Sequence, residues 1–151
     1  VLYLAPRDAV TFAAPPPGRY SAGLTDGILG SEYDDGAWAG WQGADMDATI
    51  DLGQSTQLHA IDARFLQDAE ALILLPRSVA FETSSDGKPW TTLPTVPIAV
   101  DPNDMRSSIR DLAWSAQAPV MARYLRVVAT RYGQQVNGID TWIFSDEIVV
   151  K

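Results

Sequence analysis

Alternation with a period of two dominates this chain. In residues 47–52, Ala48, Ile50 and Leu52 share one face of an extended segment while Asp47, Thr49 and Asp51 share the other, the pattern of a half-buried strand. It returns in residues 58–66, where Ile61, Ala63 and Phe65 oppose Asp62 and Arg64, and in 78–84, where Val79, Phe81 and Thr83 oppose Ala80 and Glu82. Runs of β-branched and aromatic residues predict further strands near 10–12, 90–93, 109–113, 124–130 and 142–150. Sustained helical periodicity with caps at both ends is absent. Asp26-Gly27, Asp34-Asp35-Gly36 and Ser85-Asp86-Gly87-Lys88 supply turns, because each puts a side-chain acceptor before a residue free to take positive φ. Ala13-Ala14-Pro15-Pro16-Pro17-Gly18 excludes both helix and central strand. Residues 1–23 therefore read as an irregular lead-in. Roughly seven or eight short strands separated by turns predict an all-β sandwich of the jelly-roll kind.

At 151 residues the chain reads as one domain, 1–151, without internal repeats. Lys and Arg number 11 against 19 Asp and Glu, a net charge of −8, which counts against nucleic acid and against an anionic membrane surface. There is no cysteine, so disulfides, thiolate metal sites and thiol nucleophiles are excluded together. The longest apolar stretch, 69–79, is broken by Glu70, Pro76 and Arg77 and is too short to span a bilayer. The start Val-Leu-Tyr-Leu-Ala-Pro lacks the features of a signal peptide and has no Met, so the sequence reads as a piece of something longer.

Enzyme readings find little support. His59 is the only histidine and falls on an expected strand, and there is no nucleophile-elbow Gly-x-Ser-x-Gly, P-loop or dinucleotide fingerprint. The acid pairs Asp34/Asp35, Asp45/Asp47 and Asp101/Asp104 match the residue types of a glycosidase, but their setting is that of turns and loops. The expectation is a non-catalytic domain. Tyr33, Trp38 and Trp41 lie in one turn-rich stretch. Gln67 and Asp68 begin the loop after the Phe65 strand, and Tyr132, Gln134 and Asn137 lie in a polar loop after the strand at 124–130. These eight are candidate ligand-contacting residues, since exposed aromatics beside amides and carboxylates on loops suit a binding surface. Packing in the core is the competing reading of every Trp.

Four motifs, in order, carry a family resemblance: Ala48-Thr49-Ile50-Asp51-Leu52-Gly53, the hairpin from Val79 through Ser85-Asp86-Gly87 to Trp90, Ala122-Arg123-Tyr124-Leu125-Arg126-Val127, and Asp146-Glu147-Ile148-Val149-Val150. Together they resemble the discoidin, or coagulation factor 5/8 type C, domain. Leu24-Thr25-Asp26-Gly27-Ile28-Leu29-Gly30-Ser31, Trp38-Ala39-Gly40-Trp41, Phe65-Leu66-Gln67-Asp68 and Trp142-Ile143-Phe144-Ser145-Asp146-Glu147 are further similar to the module at the C-terminus of bacterial family 20 β-hexosaminidases. The resemblance implies a galactose-binding-domain-like sandwich related to family 32 carbohydrate-binding modules. It makes Tyr33, Trp38, Trp41, Gln67, Asp68, Tyr132, Gln134 and Asn137 candidate carbohydrate-binding residues, aromatic planes stacking on the apolar face of a pyranose while amides and carboxylates bond its hydroxyls. It implies an accessory module of a secreted or periplasmic glycoside hydrolase, with carbohydrate or the parent catalytic domain as partner. It also implies a structural calcium held by the Leu24 carbonyl, the Asp26 and Glu147 carboxylates and the Ser31 hydroxyl. Ile28 stands where a polar residue is usual. Leu74, Leu75 and Pro76 occupy the approach where galactose-binding relatives place an Arg, and the run Leu72-Ile73-Leu74-Leu75 is apolar where a hydroxyl-reading site would be polar. An exposed run there would favour the alternative, a structural domain packed on its parent enzyme without a ligand of its own.

Overall fold

A computed structural model describes residues 10–151. The first part of the expected lead-in, 1–9, lies outside them. The strands are β1 (Val10–Phe12), β2 (Ala39–Gln42), β3 (Met46–Gln67), β4 (Ser78–Ser84), β5 (Thr91–Thr92), β6 (Val96–Pro97), β7 (Ser108–Thr130) and β8 (Trp142–Val150), with a 3-10 turn at Ala69–Ala71. They pair in the order β2-β8-β3-β7-β4-β5, with β1 on β3 and β6 on β4. Every one of these pairings is antiparallel.

Two long strands turn this sheet into a sandwich. β3 has 22 residues and β7 has 23, so each joins segments that the sequence presents as separate strands. The first half of β3 pairs with the last part of β7 (Ile50 with Leu125), and its second half pairs with the start of β7 (Phe65 with Arg110) and with β8. Between the halves the register shifts twice, between Asp51 and Thr56 and between Leu58 and Ala60. Gly53 takes φ 84° there. Such irregularities bend a strand and raise its twist, which lets one sheet curl over its own face.

The curl encloses a core containing Ile50, Leu52, Phe65, Phe81, Leu125, Val127 and Ile148. Each fully buried side chain of this size contributes about 1.5–3 kcal/mol. A smaller aromatic cluster at one end holds Trp38, Leu66, Ile73 and Phe144, with Tyr20, Tyr33 and Trp142 packed against it.

The run 72–75 does not meet the condition of the alternative reading. Leu72 takes a left-handed conformation (φ 60°) after the 3-10 turn. Trp142 N–H donates to the Leu72 carbonyl at 2.8 Å, and Leu74 N–H donates to the Trp142 carbonyl at 3.1 Å. This pairing draws Ile73, Leu74 and Leu75 inward, where all three are buried. They form no exposed apolar patch.

Candidate functional site

Trp38 and Trp41 are not sugar platforms. Both are 1 % exposed. β2 pairs with the first half of β8, Trp41 against Ile143, and this pairing folds the stretch into the sandwich. The Trp38 indole N–H donates to the Glu32 carbonyl at 2.8 Å, and the Trp41 indole N–H to the Ala14 carbonyl at 2.8 Å. Buried indoles that find an acceptor are structural anchors.

Gln67 is likewise internal. Its amide donates to the carbonyls of Asp101 (2.8 Å) and Asp104 (3.3 Å), and its Oε1 accepts Leu75 N–H at 3.4 Å. Its chemistry is spent on holding the loop at 101–107. Asp68 and Tyr33 are half-buried. Asp68 closes the loop backbone onto Ile73, accepting its N–H at 3.0 Å and donating its own at 2.9 Å. Tyr33 packs on the aromatic cluster.

On the 131–141 loop Tyr132 is half-buried, and its hydroxyl donates to Gln134 Oε1 at 3.4 Å. Asn137 (φ 52°) and Gly138 (φ 76°) form the tip between the mutually bonded Val136 and Ile139. Two consecutive positive φ angles explain Asn-Gly at that tip.

An open recess of 410 Å³ lies between the lead-in and the 33–36 loop, lined by Arg19, Tyr20, Asp34 and Gly36. Sequence reasoning passed over Arg19 and Tyr20 because they follow a proline run. The Tyr20 ring meets Phe144 at 4.6 Å between centroids and Trp142 edge-on at 5.4 Å. Arg19 lies over the same ring, 4.9 Å from its centroid, and donates to its hydroxyl at 2.8 Å. Gly36 sits at φ 84° with open space where a Cβ would project, so the rim is unobstructed. The recess thus combines an aromatic wall, a guanidinium and a carboxylate. Of the eight sugar candidates none lines it; Tyr33 precedes Asp34 in the chain, and Trp142 backs its tyrosine.

The loop after Leu24 is fastened to β8. Ile148 N–H donates to the Leu24 carbonyl at 2.8 Å, Gly27 N–H to Glu147 Oε2 at 3.1 Å, and Gly30 N–H to Asp146 Oδ2 at 2.7 Å. Asp26 Oδ1 accepts Ile28 N–H at 3.0 Å. Glu147 Oε1 is buried without a hydrogen-bond partner. Burial pushes the Glu147 carboxyl up to about 7, and the nearby Asp26 and Asp146 charges add to the effect. Ser31 differs from expectation: its amide and hydroxyl both turn to Asp35 Oδ2, at 2.7 and 3.4 Å. Among the described residues no group of three or more His, Cys, Asp or Glu is gathered for a metal. A cation at this loop would depend on carbonyl oxygens beside the two carboxylates.

Members of each acid pair have structural occupations. Asp35 accepts backbone N–H groups from Ser31, Glu32 and Ala37, which outweigh desolvation and lower its pKa. Asp47 is held by Arg126 at 2.7 Å and Asp104 by Arg106 at 2.7 Å. Asp45 accepts Arg131 N–H at 2.9 Å. His59 is exposed, its backbone N–H bonded to the Lys151 carbonyl.

The family model of the F5/8 type C domain matches residues 18–143. Among solved structures, the family 32 carbohydrate-binding module of NanJ from C. perfringens, in complex with galactose, superposes with a TM-score of 0.62 at 11 % identity. It covers 99 % of this chain and 98 % of that one. The family 32 module of AlyQ in complex with 4,5-unsaturated mannuronic acid gives 0.61 at 16 % identity, over 98 % and 97 % of the two chains. Chitosan-binding module 1 of a chitosanase/glucanase from Paenibacillus sp. IK-5 gives 0.58 at 20 %, over 94 % and 92 %. At these identities the likeness is one of fold. No curated protein sequence matches the chain. The fold is the discoidin-like β-sandwich.

Proposed function

This chain belongs to the F5/8 type C domain family, and on that premise we propose that it is a carbohydrate-binding accessory module. The observation that carries the reading is the open recess in which Tyr20, backed by Trp142, meets Arg19 and Asp34. An aromatic wall excludes water from the apolar face of a sugar ring, while a guanidinium and a carboxylate discriminate its hydroxyls as donor and acceptor. Galactose and an unsaturated mannuronic acid occupy modules of the same fold, which supports a saccharide as ligand. AlyQ carries its module together with an alginate lyase domain, which supports an accessory role beside a catalytic domain. The parent enzyme in this reading is an exported glycoside hydrolase of the β-hexosaminidase kind. The rival reading, a ligand-free structural domain, loses its motive with the burial of Ile73, Leu74 and Leu75.

Calorimetric titration with galactose, N-acetylglucosamine and N-acetylgalactosamine tests the proposal. Dissociation constants between roughly micromolar and millimolar are expected for one of them, with marked weakening in Tyr20→Ala. Absence of binding by the folded domain to all three, and to their oligosaccharides, overturns it.

The 24–31 loop fits a structural calcium. Burying a carboxylate oxygen without a partner costs free energy, and Glu147 Oε1 is such an atom. In this reading the carboxylates of Asp26 and Glu147 hold the ion together with carbonyl oxygens of the loop, the Leu24 carbonyl among them. Calcium supplies a hard positive charge that satisfies several oxygens at once. It would tie the loop to β8 and neutralise the repulsion among Asp26, Asp146 and Glu147. Ser31 contributes only if its hydroxyl turns away from Asp35.

A further inference from the structure

A second recess, of 260 Å³, opens where the 101–107 loop meets the start of β7, lined by Asp104, Arg106, Ser107, Ser108 and Arg110. Its charge is opposite to that of the molecule, which carries −8. Arg64, Arg106, Arg123, Arg126, Arg131 and Lys151 each stand in an ion pair. Arg110 is exposed and has no ion-pair partner among the described residues. Two guanidiniums and one carboxylate therefore line this recess, with the charge of Asp101 also acting on Arg106 from outside the lining.

That carboxylate acts as a brace. Asp104 Oδ1 accepts Arg106 Nε–H at 2.8 Å and Oδ2 accepts the Nη2–H at 2.7 Å. The fork–fork contact orients the guanidinium and leaves its Nη1 edge unused. The same contact holds the Asp104 carboxyl at about 2, so the brace stays charged across the neutral range. The loop is fixed from below by the buried Gln67, whose amide bonds the Asp101 and Asp104 carbonyls. It is also fixed from within by Asp101 Oδ1 accepting Asn103 N–H at 2.9 Å. Oriented donors lose less freedom on binding than loose ones.

We propose that this recess binds the anionic group of an acidic saccharide, a carboxylate or a sulfate ester, through Arg106 and Arg110 with the Ser107 and Ser108 hydroxyls beside them. The proposal rests on the reading of the domain as a carbohydrate module and places the recognition of charge in a recess that shares no lining residue with the Tyr20 recess. A polyanion such as nucleic acid is a poor alternative, because the rest of the surface is acidic and would repel a long phosphate backbone. The recess is of a size for a single sugar unit, and its two hydroxyls suit a ligand that carries its own.

The test is a nitrogen-edited NMR titration of the whole domain with trigalacturonate, with galactose 6-sulfate and with neutral galactose. Backbone signals of residues 104–110 and the arginine Nε–H signals are followed. Shifts at 104–110 with either charged ligand, and weakening of about tenfold in Arg110→Ala, support the proposal; the ligand that shifts them identifies carboxylate or sulfate as the group. Arg110 is an exposed strand residue, so unchanged spectra elsewhere verify that the variant is folded. Neutral galactose shifting 104–110 equally, an Arg110→Ala variant that binds as tightly, or no shift with either charged ligand overturns the proposal. So does inorganic sulfate producing the same shifts at the same concentration. Failure of the general carbohydrate reading is read separately, from the Trp142 indole signal with neutral sugars.

Discussion

Arg64 Nε lies 3.1 Å from Asp146 Oδ1, with the carboxylate wholly buried and the Arg64 side chain 19 % exposed. Asp146 also accepts Gly30 N–H, and Arg64 donates to the Gly30 carbonyl at 3.3 Å, so one ion pair joins β3, β8 and the 24–31 loop. Burial raises the Asp146 pKa, and the Arg64 bond and charge work against that rise.

Removing one partner of such a pair strands a buried charge. Arg64→Ala is expected to lose about 3–5 kcal/mol of folding stability, measured by urea unfolding. Asp146→Asn, which keeps the shape and an acceptor for Gly30 N–H, is expected to lose less. Equal losses in the two variants would contradict the assignment of the cost to an unpaired carboxylate.

Glu147 gives the domain a pH dependence of unusual sign. Its folded-state pKa is raised to about 7 from 4.5, so between these values the folded state binds more protons than the unfolded one. The contribution of this one group is then complete below pH 4.5 and is lost as pH rises toward 7, by about 2–3 kcal/mol. Metal-free protein should show a falling Tm over that window, and Glu147→Gln should flatten it. With calcium present the ionised carboxylate is neutralised, so the wild type should regain Tm at pH 7.5 and Glu147→Gln should not. A wild-type Tm equal in calcium and chelator at pH 7.5 would contradict the calcium reading.

Gly30 has no room for a side chain. A Cβ there would stand 2.4 Å from the Trp38 indole, which is itself fixed by its bond to Glu32. Gly30→Ala is expected to cost about 1–3 kcal/mol, read by thermal or urea unfolding. Trp38→Phe combined with it should recover part of the loss, because the smaller ring vacates the contact.

Much of this architecture is legible in the sequence. The alternation in 47–52, 58–66 and 78–84, and the strand around Tyr124, reappear in β3, β4 and β7, because alternating residues settle which face of a strand is buried wherever the pairing lies. The continuity of β3 is not legible because the alternation lapses at Gly53-Gln54-Ser55, which is an irregularity within one strand. Trp38 and Trp41 look the same in a Gly-rich loop and in a short strand. What buries them is β8, which pairs with Trp41 through β2 and packs Phe144 against Trp38, contacts some hundred residues away that local pattern does not reveal. Gln67 is polar at a strand end, and only the return of the 101–107 loop shows that its amide is consumed internally. Arg19 and Tyr20 gave no signal, since a proline run fixes backbone shape without telling where the following side chains point.

The most direct measurement of the carbohydrate reading is a titration of the folded domain with neutral sugars, following the five Trp indole N–H signals by NMR. A shift confined to Trp142, with Trp38 and Trp41 unmoved and the effect lost in Tyr20→Ala, is the predicted result. Silence at all five indoles with every sugar, in a protein whose spectrum shows it folded, would contradict it.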